Sequence, residues 1–542
     1  MLKSSVENLL RIAWENLQLP AIDVEVVASE RPEYGDFSTN LALVGASATG
    51  HSPRELAEMI VAKIPKESLH KVEVAGPGFI NVFLLPTTVQ GALSEIMKAG
   101  DNFGLSDTKN SAQVQIEFVS SNPTGPLTIG HGRQAVLGDV LSSIYSSLGH
   151  SVSREYYFND EGRQIELLSR SLWIRYRQLM GDDLEVPEEG YLGDYLIEIA
   201  KEMTQEHRDH FPEFDTDTGK LFRQEAVSRM KNMIQDDLAA LGVRFDYWFS
   251  EASLHASGEV KAALKSLQEK NGTYEKDGAI WLRAEEHGGA KDSVLIRSDG
   301  RPTYLMVDIA YHLNKRQRGY ERVIDVQGAD HHAEQSCVKA AMRILGLPDG
   351  FLDYAVHQFV SVKEGGSVSR MSTRAGRFVL LRDLVQELGP DVVRYFMVAR
   401  KPESHLEFDI DLARAQSLDN PVYYIQYAHT RICSILRRAE TEPAERLEVD
   451  LSPLNSPAEL ALIKLLDRFP NLLEECARSF APHLLADYAL GLAREFHSYY
   501  DKTRVIVDDL ELKMARLALV AAIKSVFRRS LSLLGMSAPE VM

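Results

Sequence analysis

Residues 114–119 read Val-Gln-Ile-Glu-Phe-Val, residues 120–127 Ser-Ser-Asn-Pro-Thr-Gly-Pro-Leu, and residues 128–133 Thr-Ile-Gly-His-Gly-Arg; an apolar-periodic run follows and closes at Gly149. Val114, Ile116, Phe118 and Val119 form a short run rich in β-branched and aromatic residues, which reads as a strand. Pro123, Gly125 and Pro126 forbid regular structure. From Gly132 onward Val136, Leu137, Val140, Leu141, Ile144 and Leu148 recur at helical spacing, and Gly149 suits the stop. The stretch is therefore strand, structured loop, helix. Gly130, His131 and Gly132 sit where the helix begins. Free backbone N–H groups and the helix dipole favour an anion there, His131 adds a donor, and the glycines permit close approach.

Gly130-His131-Gly132-Arg133-Gln134-Ala135 also matches the dinucleotide pattern G-x-G-x-x-A. That pattern belongs directly after its strand, and here a Pro/Gly loop intervenes, so the match is weak. Asn122-Pro123-Thr124-Gly125-Pro126-Leu127-Thr128-Ile129-Gly130-His131 instead resembles the first signature of class I aminoacyl-tRNA synthetases. The Ser-Asn-Pro-Thr-Gly-Pro lead-in and the trailing Gly-Arg resemble the arginyl-tRNA synthetases of bacteria. That family usually opens the signature with His; this chain has Thr128, whose hydroxyl can donate to a phosphate oxygen without carrying charge.

The 542 residues suggest three to four domains. A formal net charge of −18 argues against a general nucleic-acid coat, although a local basic face can still bind RNA. Cys337, Cys433 and Cys476 are far apart and form no C-x-x-C pair, which argues against disulfides or structural zinc and fits a reducing compartment. With no apolar signal core at the N-terminus and no run long enough to span a bilayer, the expected location is cytoplasmic, with no membrane partner.

Residues 1–108 read as a small α+β module. Ser52-Pro53-Arg54-Glu55 starts a helix, and residues 72–82 alternate through Gly76-Pro77-Gly78 as strand, turn, strand. The stretch 31–40 and this hairpin resemble the N-terminal domain of arginyl-tRNA synthetases, in which an aromatic and an Asn two residues on contact the tRNA elbow; Phe79 and Asn81 match that pair. An ordinary strand with one core-facing aromatic accounts for Phe79 equally well. Residues 109–395 should hold an α/β doubly wound parallel sheet, Rossmann-like, with strands near 114–119, 151–158, 322–326 and 354–360, a helical acidic insertion over 165–245 and a hairpin around 281–297. Ligands would bind beyond the strand C-termini, where the loops after Phe118, Val326 and Val360 open. Residues 396–542 read as an all-α bundle. Its run Pro421–His429, with Tyr427, resembles the opening of the arginyl-type anticodon-binding domain.

Chemistry follows from the two tasks that the resemblance implies: arginine attacks ATP to form arginyl-adenylate and pyrophosphate, then passes to the terminal ribose of tRNA. Thr128, Gly130 and His131 would face the phosphates, with Gly328, Asp330, Met371 and Ser372 completing the ATP site. Lys363–Arg377 is Gly-paired and cationic, and resembles the family's K-M-S-K loop. Arg370 and Thr373 replace both signature lysines, so Arg370, Arg374 or Lys363 must supply the charge. A guanidinium needs carboxylates in its planar fork. Tyr304 and Asp308 share a helix face behind Thr303, a plausible N-cap, and match the family's Pro-Thr-Tyr-x-x-x-Asp. Glu117, Ser120 and Asn122 match positions before the first signature, and Gln327 borders the same site. A Glu in so apolar a strand needs a partner. His331 and His332 lack a third ligand at suitable spacing, so no structural metal is expected.

The family implies tRNA(Arg), L-arginine, and ATP carried with Mg²⁺, and usually a monomer. Two rivals stand beside this reading. One is another class I adenylyl transferase, which would not need both Glu117 and Asp308. The other is an inactive tRNA-binding paralogue, suggested by Thr128, Arg370 and Thr373.

Overall fold

The computed structural model describes residues 1–29, 31–106, 112–207, 211–369, 379–439 and 449–542. At its centre is a five-stranded, wholly parallel sheet. In chain order the strands are β1 (Gln113–Glu117), β2 (Ser151–Phe158), β3 (Tyr247–Ser250), β4 (Arg322–Gly328) and β5 (Leu352–His357), and across the sheet they run β5-β4-β1-β2-β3. Helix α1 (Ile129–Ser147) connects β1 to β2, α2 (Tyr304–Gln317) precedes β4, and α3 (His332–Ile344) connects β4 to β5.

β1 is the middle strand, and Val114 and Ile116 are fully buried. α1 covers it through Val136, Val140 and Ile144, also fully buried. The approach is so close that a Cβ on Gly138 would stand 2.1 Å from Cγ of Phe118, which only glycine avoids. The helix starts at Ile129, a turn earlier than its apolar period predicts, because Thr128 and His131 cap it. Gly149, at φ +88, ends it as expected.

Three strands depart from the sequence expectations. β3 follows the acidic insertion and completes the sheet edge. The stretch expected as one strand over 354–360 breaks at Gln358: Leu352–His357 stays in the central sheet, whereas Val360–Glu364 pairs with Ser367–Ser369 and Leu406–Asp409 in a separate small sheet. Leu406–Asp409 also places a strand inside the stretch expected to be all helical, and the helices of the bundle begin at Pro421.

The insertion is helical as expected (Arg163–Leu179, Asp194–His207, Thr216–Ala240) and has its own core around Tyr176 and Phe222. The N-terminal module carries a four-stranded antiparallel sheet, and Ser52 caps its helix Pro53–Lys63. One continuous apolar core runs from this module through α1 into the C-terminal bundle. Phe103 stacks on Phe469 at 6.2 Å, Gln90 Nε2 donates to the Leu454 carbonyl at 3.1 Å, and Lys464 pairs with Asp36 at 2.5 Å. The three cysteines are buried and free.

Candidate active site

The crossover connections leave β1 and β4 in opposite directions, so a crevice opens between their C-terminal ends. A cavity of about 1410 Å³ lies there. Its lining brings together every described candidate for amino-acid and nucleotide binding: Glu117, Ser120, Asn122, Tyr304, Asp308 and Gln327, with Thr128, Gly130, His131, Gly328 and Asp330. The loop opening here after β5 follows His357, not Val360, although Val360 lines the cavity too. Arg370, Met371, Ser372, Thr373 and Arg374 lie outside the described residues. The chain just beyond them is stitched to the first signature: Ile129 N–H donates to the Val379 carbonyl at 3.1 Å and Leu381 N–H to the Leu127 carbonyl at 2.9 Å.

At the signature turn, the Thr128 backbone N–H donates to His131 Nδ1 at 3.0 Å. A backbone N–H can only donate, so Nδ1 carries no proton and Nε2 is the N–H of the ring. Burial pulls the imidazole pKa down to about 4. His131 is thus a neutral donor at neutral pH.

The chain reaches this turn through a strained corner. Val119 and Ser120 have φ of +69 and +38. A β-branched residue there is costly, on the order of 1–3 kcal/mol, and needs its surroundings to hold it. They do: Tyr157 N–H donates to Ser120 Oγ at 3.1 Å, Ser120 Oγ donates to Glu117 Oε1 at 2.8 Å, and the Tyr156 hydroxyl lies 2.8 Å from Ser121 Oγ. The corner presents Asn122, which is exposed, at the cavity.

Beneath the cavity three acids stand level on adjacent strands, Asp325 opposite Glu117 and Glu117 opposite Glu155. α2 and its C-cap Arg318 lay three basic residues, each three positions apart, over this row. Lys315 Nζ donates to Glu117 at 2.7 Å and to Asp325 at 2.9 Å; Arg318 grips Glu155 with two bonds of 2.6 and 2.7 Å; His312 Nε2 lies 2.8 Å from Asp325. Tyr311 adds a 2.6 Å bond to Glu155. The partner that Glu117 requires is therefore Lys315. Burial raises the Glu117 carboxyl and Lys315 opposes it. Burial would also raise Asp325, but Lys315 and His312 overcome it and hold that pKa at about 2. Burial disfavours the charged form of Lys315, yet Asp325 and Glu117 more than offset it and raise its pKa. Burial and Lys315 likewise press His312 down, but Asp308 and Asp325 prevail and take it to about 10.

Thr303 caps α2 as expected, accepting from Met306 N–H. Tyr304, 67% exposed, and Asp308 then face the cavity together. Glu251 joins them, a residue that nothing in the sequence singles out. It follows β3, is buried, and lines the cavity beside Tyr157. Its carboxyl is raised, by burial first, with the Tyr157 hydroxyl and His255 opposing. His255, at 3.8 Å, is its nearest basic neighbour.

The remaining candidates lie in other domains. Phe79 is 42% exposed, while Asn81 is buried and accepts from Ser38 Oγ at 3.0 Å. Both line a second cavity of about 490 Å³ with Arg31 and Tyr34. Tyr427 stacks on Tyr423 at 6.4 Å, and the Arg431 guanidinium lies 4.7 Å from its ring centre. His497 stacks on its ring at 5.8 Å.

Three family models match the chain: "Arginyl tRNA synthetase N terminal domain" over residues 1–84, "tRNA synthetases class I (R), catalytic domain" over 92–401, and "DALR anticodon binding domain" over 425–542. The arginine--tRNA ligase of Thermotoga maritima is 45% identical over 526 residues, 96% of each chain. That of Syntrophotalea carbinolica is 44% identical over 552 residues, covering 100% of this chain and 99% of its own. Among solved structures, Thermus thermophilus arginyl-tRNA synthetase superimposes with a TM-score of 0.81 over 100% of both chains at 22% identity, a likeness of fold.

Proposed function

The chain belongs to the arginyl-tRNA synthetase family and is an arginine--tRNA ligase, and on that premise we propose how its residues divide the work. Arginine lies with its guanidinium toward Asp308 and Glu251 beside Tyr304, and with its α-amino acid end among Ser120, Asn122 and Gln327. ATP lies along the first signature, its phosphates over Thr128, Gly130 and the Nε2–H of His131, and its nucleoside toward Gly328 and Asp330. The arginine carboxylate then attacks the α-phosphorus, the bond to the bridging oxygen breaks, and pyrophosphate leaves. In the second step a ribose hydroxyl of the tRNA terminus attacks the activated carbonyl and AMP departs.

One observation carries this assignment. Among the described residues, the carboxylates of Glu117, Asp308, Asp325 and Glu251 outnumber the cations paired with them, Lys315 and His312, with only His255 at 3.8 Å beside Glu251, so the site carries an excess of negative charge that a guanidinium reduces. A fork of donors meeting two carboxylates also gives geometric selection. Arginine-dependent charging of total tRNA, with the other amino acids as competitors, tests the reading. Charging by a neutral amino acid at the same efficiency would overturn it.

Among the described residues no group of three or more His, Cys, Asp or Glu could hold a metal ion. Mg²⁺ would enter on ATP and neutralise phosphate charge. Three domains divide the tRNA: residues 1–108 meet the elbow through Phe79 and Asn81, 109–395 hold the chemistry, and 396–542 meet the anticodon with Tyr427 on its platform. The enzyme works as a cytoplasmic monomer. Among the described residues no helix is long and apolar enough to cross a membrane.

A further inference from the structure

We propose that His312, held between Asp308 and Asp325, is the positioning residue that aims the Asp308 carboxylate at the guanidinium and offsets one negative charge of the arginine pocket. The inference rests on the reading that Asp308 binds arginine. His312 is wholly buried. Its Nδ1 lies 2.8 Å from the Asp308 carbonyl oxygen and 3.2 Å from Asp308 Oδ1. Its Nε2 lies 2.8 Å from Asp325 Oδ2. Every partner on both sides of the ring is an acceptor. A neutral imidazole has one N–H and would leave one of these contacts between two acceptors; only the imidazolium satisfies both. The geometry therefore calls for a protonated ring, and the carboxylates around it support one.

The charged groups facing His312 are Asp308 and Lys315 on its own helix, Asp325 on β4 and Glu117 on β1. With His312 charged, three carboxylates face two cations. With it neutral, a second negative charge would stand unanswered, and Asp308 and Asp325 would compete for a single N–H. His312 does not line the cavity, so it acts through Asp308. It also ties that carboxylate to the Asp325–Lys315–Glu117 row, which makes the floor of the pocket one rigid unit.

Replacing His312→Gln keeps a donor for one side and removes the charge. The expected result is an arginine KM raised about tenfold, with ATP KM unmoved and kcat at saturating arginine within about threefold. A merely structural role would lower kcat and disturb both KM values together, and that result overturns the proposal. Asp308→Asn measured in parallel separates the two layers. If Asp308→Asn raises arginine KM and His312→Gln does not, the inference fails while the arginine site stands. If both are inert, the site reading itself fails. Should His312→Gln not fold, ¹⁵N-histidine-labelled native enzyme decides. A ring with both nitrogens protonated at pH 8, shifting on addition of arginine, supports the proposal. A set of resonances containing no imidazolium at pH 8 overturns it.

Discussion

Glu117 and Asp325 stand directly opposite each other on neighbouring parallel strands and share one ammonium, Lys315 Nζ, at 2.7 and 2.9 Å. Two buried carboxylates at that separation repel strongly unless a cation lies between them. Lys315 is fully buried, and its methylene stem passes Tyr311 with Nζ 4.3 Å from the ring centre. Removing one partner of a buried ion pair leaves the other charge unpaired, at a cost of roughly 3–5 kcal/mol. Lys315→Met is therefore expected to lower the urea midpoint sharply. A midpoint equal to that of the native enzyme would show that the two acids do not depend on Lys315.

Asp308→Asn should weaken arginine binding and leave ATP binding nearly unchanged. A charge-assisted bond to a guanidinium is worth roughly 1.5–3 kcal/mol, so arginine KM should rise about ten- to hundredfold. Glu251→Gln should act in the same direction, because both oxygens of Glu117 are already engaged by Ser120 and Lys315, whereas Glu251 lines the cavity and has His255 no nearer than 3.8 Å. Steady-state kinetics with each substrate varied in turn checks this. An unchanged arginine KM in either variant removes that residue from the pocket.

What the sequence made legible was local. Pro123, Gly125 and Pro126 announce a loop, Thr303 announces a helix start, and the spacing of Tyr304 and Asp308 puts them on one face. What stayed hidden needed pairing between distant strands. The acid row Asp325–Glu117–Glu155 exists only because the three strands align in register, and no local pattern encodes that register. β3 is four residues long, too short for its alternation to stand out, so Glu251 at its end was invisible. The break between β5 and Val360–Glu364 comes from outside the segment: Arg133, fully buried in α1, donates to the Gln358 carbonyl at 2.6 Å, and Gln358 N–H bonds the Pro402 carbonyl at 2.9 Å, which takes Gln358 out of the ladder.

Stability should peak near pH 6.5 as far as these buried groups decide it. His312 titrates near 10 in the folded chain against 6.5 unfolded, so its contribution is complete below 6.5 and is lost as pH rises through 10. His131 and His357, both held near 4 by burial, work in the opposite sense and cost stability as pH falls from 6.5 toward 4. Asp325, near 2 against 3.8 unfolded, adds a loss only below about pH 4. Urea midpoints at pH 5, 6.5, 8 and 9.5 should trace this maximum, and His312→Gln should flatten only the alkaline side. A midpoint still rising from pH 6.5 to 9.5 would contradict the charge assigned to His312.

Phe79→Ala should raise tRNA KM about tenfold while leaving arginine KM in place, since a base stacked on an aromatic is worth roughly 1–3 kcal/mol. The point variant is a cleaner test than removing residues 1–108. That module shares its core with the bundle through Phe103, Gln90 and Asp36, so its loss would expose apolar surface and unpair Lys464. Native tRNA affinity in Phe79→Ala would take the ring out of the elbow contact.

The charge that meets departing pyrophosphate should come from arginine and not from lysine. Lys363, Arg370 and Arg374 are the three candidates that the sequence leaves, because Arg370 and Thr373 stand where the family's signature has lysines. Lys363 is already engaged: it lies 3.0 Å from Asp409 and 3.8 Å from Glu407 on the neighbouring strand, and the Asp409 bond raises its pKa. Using it on a phosphate would mean breaking those contacts. Arg374 precedes in sequence Val379 and Leu381, whose backbone hydrogen bonds join the first signature: Ile129 N–H donates to the Val379 carbonyl and Leu381 N–H to the Leu127 carbonyl. A guanidinium can hold two phosphate oxygens at once. An interaction made only in the transition state lowers kcat without raising KM. Arg374→Ala should therefore lower kcat by roughly 10²–10³, the loss seen when one preorganised charge-stabilising donor is removed, with arginine and ATP KM nearly unchanged. Arg370→Ala should act in the same direction but more weakly, and Lys363→Ala should stay close to native. The assignment depends on that order: a crippled Lys363→Ala beside two active arginine variants would move the charge out of the signature and onto the strand that carries Lys363.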